Sequence, residues 1–540
     1  MKPRALSSCV PWHAVLLAST VALGLTGDAY AQCPETSVPT VGLPQAGAEF
    51  GASVALAGDT AVIGAPGWSP PGGQPEGAVI VSVWTGSAWV SQMLPRPASI
   101  GPGSRFGQDV AINEDASVIA VGAPLHDGTA IDCGKVVIYE WDPALSSWSL
   151  SLEVDGLFAS GFFGHSVTAS GQRVAAGEPG GAFALGTVNI TRRTAPFTWV
   201  SDGFLAGTEP FALFGFDVAL SGDLLAVGSP LDDDTQLDEG CVDVYEWLSG
   251  PWVLREHITG GFGFAGTFFG WSVDLADDLV VGAPGATSNN PGGIAQIYHW
   301  DGAKYLWWFT HWNDSTSSRL GQSVAISVDR VLMGAPGLDE GLGADAGRMT
   351  AVQSGPWGGW SVEVAYLTSS SPEPGAQFAF ATALSGQRAL TGKPFADPGG
   401  KLSAGLVYAY DLGTAVVHTD LAQGLAGQNG VTPVLSGIGG MCDTSLEWLQ
   451  LTDGRPFAPT WLVLGTALQA LPFKGGVLVP QPDFIFSLSS MGAQGILGLA
   501  FNMPTGLPAF SAWLQIWIKD ADGPAGFSAT NGLRADFPPY

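Results

Sequence analysis

A two-part motif recurs seven times along this chain, and its period constrains the fold more than any other feature. Each copy opens with Phe-Gly or a close variant and runs on to a Gly-x-Pro. The copies are Phe50-Gly51 to Gly64-Ala65-Pro66, Phe106-Gly107 to Gly122-Ala123-Pro124, and Phe163-Gly164 to Gly177-Glu178-Pro179. Next come Phe214-Gly215 to Gly228-Ser229-Pro230, Phe269-Gly270 to Gly282-Ala283-Pro284, and Leu320-Gly321 to Gly334-Ala335-Pro336. The last, Phe378-Ala379 to Gly392-Lys393-Pro394, is the most degenerate. Successive copies lie 51 to 58 residues apart. A repeat of this length marks supersecondary units that bury their apolar faces against one another.

Within a repeat the pattern predicts four strands. The first alternates apolar positions, as in Val54/Leu56, Val110/Ile112, Val218/Leu220 and Val324/Ile326. A tight turn such as Gly58-Asp59 or Gly222-Asp223 has the composition of a two-residue hairpin loop. The second strand stops at the Gly-x-Pro, where proline has no N–H for a ladder. A variable loop leads to a third strand that opens with glycine, as in Gly134 to Trp141 and Gly240 to Trp247. The fourth strand carries a further tryptophan: Trp89, Trp148, Trp199, Trp252, Trp307 or Trp360. Seven four-stranded antiparallel units predict an all-β chain with a seven-bladed β-propeller, whose radial arrangement protects the sheet edges.

The paired motifs resemble FG-GAP repeats, the units of the integrin α-chain propeller, in a secreted bacterial version. The resemblance covers roughly residues 33–412 and implies seven blades. No tryptophan strand of the usual kind follows Gly405 to Tyr410, while Thr36 to Leu43 precedes the first motif. That early stretch is therefore expected to complete the last blade. Calcium sites of the integrin type need Asp-x-Asp/Asn-x-Asp/Asn-Gly between the first two strands, because Ca²⁺ takes six to eight oxygens. Here that segment is a bare turn in nearly every repeat, and the longest, Asn113-Glu114-Asp115, lacks the spacing. Those sites do not transfer.

Composition narrows the partners. Lys and Arg number 20 against 48 Asp and Glu, a formal net charge of −28. Such a chain repels phosphate backbones and anionic lipid, so nucleic-acid binding is not expected. Residues 1–31 read as a signal peptide: Lys2 and Arg4, an apolar run from Ala14 to Leu25, then Ala29-Tyr30-Ala31. No later run is long enough to span a membrane as a helix, so a secreted or cell-surface protein is expected. The four later cysteines, Cys33, Cys133, Cys241 and Cys442, leave disulfide pairing open, and they form no zinc-like cluster.

Acids gather after the Gly-x-Pro motifs. Asp232, Asp233, Asp234, Asp238 and Glu239 fill one loop, Asp339, Glu340 and Asp345 another, and Asp127 with Asp132 a third. Solvated polar loops account for most of this charge. If a metal binds, Ca²⁺ in the Asp232–Glu239 loop is the expected case, since clustered carboxylate oxygens suit that ion. No cofactor is otherwise required. His165 follows Phe163-Gly164 on a strand expected to line the central channel, while His126 is expected in an exposed acidic loop. His257, His299 and His311 fall on or beside outer strands. Recurring tryptophans are read as packing residues rather than a sugar platform.

From about residue 413 the repeat stops. Alternating segments such as Phe484-Phe486-Leu488 and Leu514-Ile516-Ile518 predict a small C-terminal β-sandwich over 413–540, after a propeller over 32–412. Asp520 and Asp522 are read as turn residues. Three functions fit: an extracellular recognition or adhesion protein that binds a protein or glycan through propeller loops, an enzyme at the propeller mouth using His165 and loop acids, or a structural envelope component. The first is the expected one, with no catalytic centre, because no nucleophile, base or open metal position converges in the sequence.

Overall fold

The computed structural model describes residues 33–537 apart from 34, 43, 235, 262, 286–291, 313–314, 316, 340–343, 355–359, 413–416, 439–445, 493–494 and 503–508. The expected signal peptide, Glu340 and Cys442 lie outside these residues. Two compact units divide near residue 413.

The first unit contains seven four-stranded antiparallel sheets. In six of them four consecutive strands pair in chain order, as in Ser53–Ala57, Thr60–Ala65, Ala78–Trp84 and Trp89–Met93. The seventh takes Thr382–Ser385, Arg388–Lys393 and Leu406–Asp411 from the end of the unit and Glu35–Val38 from its beginning. The early strand pairs with its late partner from Glu35↔Tyr410 to Val38↔Val407, as expected from the sequence. It is shorter than the expected 36–43 because Pro39 follows Val38 and brings no N–H to the ladder. The first strands of successive sheets touch around a closed ring, the last one (Thr382–Ser385) meeting the first (Ser53–Ala57).

The recurring glycines explain why the motif has two parts. Gly107 has φ +86°, and its neighbour across the seam is Gly64 of the preceding blade. A Cβ on Gly64 would overlap the Gly107 carbonyl, so both positions exclude a side chain. The same abutment joins Gly122 to Gly164, Gly177 to Gly215, Gly228 to Gly270, Gly282 to Gly321, Gly334 to Ala379, and finally Gly392 back to Gly51. The Phe of each Phe-Gly is buried in the wedge beside it, as with Phe106, Phe269 and Phe378 at 0% exposure.

Polar side chains stitch the same seams. Ser53 Oγ donates to the Gly107 carbonyl at 3.0 Å, Ser166 to Gly215 at 3.2 Å, Ser272 to Gly321 at 2.8 Å and Ser323 to Ala379 at 3.1 Å. In the second and fourth blades aspartate takes the serine's place and works in the opposite sense, as an acceptor. Asp109 receives the N–H of Val110 at 2.9 Å and of Val167 in the next blade at 2.7 Å. Asp217 does the same for Val218 at 3.0 Å and Val273 at 2.7 Å. Asp274, two residues further along its strand, bonds Leu275 at 2.9 Å and Ile326 at 2.8 Å. These carboxyls keep some solvent access, yet protein crowds them on all sides. Burial lifts Asp109 to about 7 and Asp274 to about 6, against the opposing pull of their N–H donors. Burial and then the neighbouring Asp109 charge hold Asp217 well above the ordinary carboxylate range.

In the second unit, a sheet with path order 417–420, 533–537, 510–519, 460–465 and 484–487 faces a three-stranded sheet of 434–438, 446–452 and 497–502. Leu449, Leu451 and Leu497 from the smaller sheet share one core with Leu514, Ile516, Ile518 and Phe537 from the larger. This is the expected sandwich. Asp520 is buried at 1% exposure; it accepts the Asp522 N–H at 3.0 Å within the turn after its strand, and Arg455 Nη1 and the Gln428 N–H at 2.8 Å each from two other loops.

Gly122→Ala is expected to lower the urea midpoint by an amount equivalent to about 1–3 kcal/mol, the usual cost of forcing an atom into a packed seam. Gly250→Ala, where nothing lies within 4 Å, should stay within about 0.5 kcal/mol of wild type. Equal midpoints for the two variants would refute the seam argument. The seam aspartates give a second expectation. Between the ordinary value of about 3.9 and their folded values, the folded state holds protons that the unfolded chain has lost. Their contribution to stability is therefore largest at acid pH and falls as pH rises through about 6 and 7. Asp109→Asn should flatten that fall in thermal melts taken from pH 4 to 8; an unchanged slope would contradict it.

Candidate functional site

The acidic loop after Gly228-Ser229-Pro230 separates into two functions. Asp233 Oδ1 accepts the N–H of Asp238 at 2.7 Å. Asp127 does the same for Asp132 at 2.9 Å, Asp339 for Asp345 at 2.7 Å, and Asp397 for Ser403 at 2.7 Å. All four acceptors stand three residues after the motif proline, and all four donors have φ between 48° and 53°. Asp233 therefore closes a turn that the repeat uses elsewhere, and Asp238 contributes its backbone. Glu239 is buried at 2% exposure, and its Oε1 accepts the Gly263 N–H at 3.1 Å. Its backbone carbonyl takes the N–H of Phe269 at 2.8 Å and the hydroxyl of Thr267 at 2.7 Å. Three of the five expected metal ligands thus have structural duties.

The other two, Asp232 and Asp234, turn toward a pocket of about 250 Å³. Glu209 reaches it from the loop before Phe214, and ligand oxygens of Glu209, Asp232 and Asp234 lie within 4.8 Å of one another. Cys241 and Asp243 join from the third strand, Cys241–Trp247, and His257 from the fourth, Trp252–Thr259. Asp243 and His257 are cross-strand partners, so their side chains share one face. His257 is held at both ring nitrogens: Nδ1 lies 2.7 Å from Asp243 Oδ1 and Nε2 lies 2.6 Å from Asp234 Oδ2.

The electrostatics follow from this crowding. The hydrogen bond to Asp243 is the largest cause lifting His257, with Asp234 adding to it, and the ring reaches about 9. It is an imidazolium at neutral pH. Burial raises Asp232, and the Asp234 charge raises it further. Glu209 rises through desolvation and then through the Asp232 charge. Burial pushes the Cys241 thiol far up, so it is no thiolate nucleophile. Four carboxyl groups therefore face one fixed cation, and three of them offer oxygens to a shared point. That donor set is all oxygen, which suits a hard divalent cation.

The other residues singled out in the sequence stand apart from this pocket. His165 Nδ1 lies 3.0 Å from the Phe216 carbonyl of the next blade, and its ring packs on Phe216 at 4.6 Å. Burial lowers its basicity. His126 is not in an exposed loop: it is 7% exposed, 3.4 Å from Ser104 Oγ and 3.7 Å from Asp155. Cys133 and Cys241 are free buried thiols, whereas Cys33 is disulfide-bonded. Glu209, Asp243 and His257 were missed because each comes from a different element. Aligning Trp247 with Trp252 as facing residues would have brought Asp243 near His257.

The His257 clamp is open to direct measurement. Its ring should titrate near 9 by NMR, and Asp243→Asn should bring that value down toward the ordinary one. The folded value lies above the unfolded one, so the clamp stabilises fully below about 6.5 and is lost as pH rises through about 9. A titration near 6.5 in the native protein would show that the clamp does not form.

Comparison with known proteins bears on the propeller. The FG-GAP repeat family matches residues 44–81 and 208–245, and the second match contains most of the pocket. No curated protein matches the chain. Among solved structures, the RRP9 WD40 repeats share 12% identity, with 70% of this chain and 99% of that chain covered, at a TM-score of 0.43. The propeller domain of the Trilobed protease from Pyrococcus furiosus shares 11% over 63% and 90%, at 0.38. The periplasmic gluconolactonase of Pseudomonas aeruginosa shares 15% over 59% and 86%, at 0.40. Scores at this level carry no argument about function, and the motif contacts and sheet order stand without them. The chain is an FG-GAP repeat β-propeller protein.

Proposed function

We propose that this protein is an extracellular recognition or adhesion protein that binds a protein or glycan through its propeller loops. One observation supports the reading above others: the fourth blade carries a carboxylate pocket that blade packing does not use. Loop closure there is already met by Asp233, as it is by Asp127, Asp339 and Asp397 in their blades. Asp232, Asp234 and Glu209 are additional to that closure: Asp232 Oδ1 accepts the Asp234 N–H at 3.1 Å and Asp234 Oδ2 holds His257. A Ca²⁺ ion held by these three would leave coordination positions for oxygens of a partner, and the His257 imidazolium would limit the net charge of the site. Export is inferred from the leader-like residues 1–31. Among the described residues, no helix is long and apolar enough to cross a membrane.

A catalytic role has less support. Catalysis needs a base with a free lone pair beside a reacting group. His257 has both ring nitrogens held by carboxylates and so offers no lone pair, while His165 bonds the Phe216 carbonyl through Nδ1 and packs its ring on Phe216.

The experiment is array binding of the purified protein to glycans and extracellular proteins, in CaCl₂ and in EDTA, with calorimetry of Ca²⁺ alone. Calcium affinity is expected on the order of 10⁻⁴ to 10⁻³ M, typical of extracellular modules. Glu209→Gln with Asp232→Asn should abolish both the heat and any calcium-dependent capture. Capture that ignores EDTA and both substitutions would place recognition elsewhere on the propeller.

A further inference from the structure

The fifth blade breaks the tryptophan pattern of the repeat. In the first, second and fourth blades the third and fourth strands place two tryptophans opposite one another, Trp84↔Trp89, Trp141↔Trp148 and Trp247↔Trp252, and in the third and sixth the fourth-strand Trp199 and Trp360 stand opposite Arg193 and Ser354. In the fifth blade Trp300 pairs instead with Tyr305, ring centroids 5.0 Å apart, and Tyr305 is 5% exposed. The packing position is therefore filled by Tyr305. Trp307, expected from the sequence to be that packing residue, is surplus to it. So is Trp312 at the end of the same strand, Tyr305–Trp312.

Both surplus rings stand in solvent, Trp307 at 60% exposure and Trp312 at 62%. Register shows that they share a face. Trp312 pairs with Ile294, Thr310 with Gln296 and, beyond a bulge, Trp307 with Tyr298. Ile294 and Tyr298 both pack toward the fourth blade, in one core with Val242, Val244 and Ile258. The two indoles thus flank Thr310 on the side facing the fourth blade. Four ladder steps separate their partners, about 13 Å along the strand.

The ground between them is polar and ordered. Trp307 Nε1 donates to Thr310 Oγ1 at 2.8 Å, which orients the indole. Gln296 Nε2 donates to the same hydroxyl at 3.1 Å, and Tyr298 OH donates to Gln296 Oε1 at 2.6 Å. Exposed apolar rings with no packing duty mark interaction surfaces. Gln296 and Tyr298 are buried and serve to hold the half-buried Thr310, so the exposed surface is two ring faces with one hydroxyl between them, a match to a chain of sugar rings whose C–H faces stack on aromatics. Charge decides the polymer class. At a formal net charge of −28 the protein would repel an acidic polysaccharide.

We propose that Trp307 and Trp312 form a stacking platform for a neutral polysaccharide on the outer edge of the fifth blade. The platform is separate from the Glu209–Asp232–Asp234 pocket and does not depend on it.

The test is retention of the full protein on insoluble cellulose, chitin and xylan, with affinity electrophoresis in glucomannan and in alginate. At least one neutral polymer should retain the wild type, and alginate should not. Trp307→Ala with Trp312→Ala should weaken retention by about tenfold or more, the scale of losing stacked rings. Trp307→Phe should keep part of it, and far-UV circular dichroism should match wild type for all variants. Retention should be equal in CaCl₂ and in EDTA, which separates failure here from failure of the loop-pocket reading. The proposal falls if no neutral polymer retains the protein, or if the double variant is retained equally. It falls also if the double substitution converts a dimer into a monomer in sedimentation, because the face would then join two copies.

Discussion

The contact that everything else in the propeller depends on is a backbone pressed against a backbone. The glycine of each Gly-x-Pro lies under the carbonyl of the Phe-Gly glycine in the next blade. No side chain fits there, so neighbouring first and second strands approach more closely than sheets packed through side chains, which stand about 10 Å apart. That closeness brings serine or aspartate side chains within reach of the next blade's backbone. It also forces the sheets to diverge outward, where Phe106, Phe163 and their equivalents fill the wedge. The seventh seam, Gly392 on Gly51, has the same form as the other six. Closure adds no special joint. What closure does add is the strand Glu35–Val38, whose pairing with Leu406–Asp411 makes the two ends of the propeller segment one sheet.

Because this contact needs glycine at two fixed places per blade, the fold was legible in the sequence. Period, strand count and the closing strand all follow from it. The degenerate seventh copy shows how far the rule bends: Ala379 takes the Phe-Gly glycine's place at φ 64°, still against Gly334. Side-chain roles were less legible. Nothing in the composition of Asp232–Glu239 separates Asp233 from Asp232. The difference appears only when loops are aligned on their prolines, where Asp127, Asp233, Asp339 and Asp397 fall into one column. Glu209 and His257 were hidden for another reason. They reach the pocket from a connection and from an outer strand, and only three-dimensional register brings them beside Asp232 and Asp234.

Residue type accounts for the remaining misreading. In the fifth blade the place opposite Trp300 is held by Tyr305, so choosing the fourth-strand tryptophan picked Trp307, two residues further on, as the packing residue. His126 was misread from charge: acids flank it in sequence, yet the ring is buried beside Ser104, under the loop rather than on it.

In a protein built from repeats, the informative residues are those that no repeat requirement explains. Once the glycine seams, the Ser/Asp stitches, the loop-closing aspartates and the paired aromatics are set aside, two exceptions stand out. The first is the set of carboxylates around His257, on the face of the fourth blade that carries Tyr245 and Trp252 against the third blade. The second is the pair of exposed indoles on the fifth blade, turned toward the opposite face of the fourth, which carries Val242, Val244 and Ile258. Both depart from the repeat in the costly direction: like charges gathered near a half-buried point, and large apolar rings left in water. Their position on either side of one blade makes the fourth blade, rather than the axial channel, the part of this propeller most altered from its own repeat.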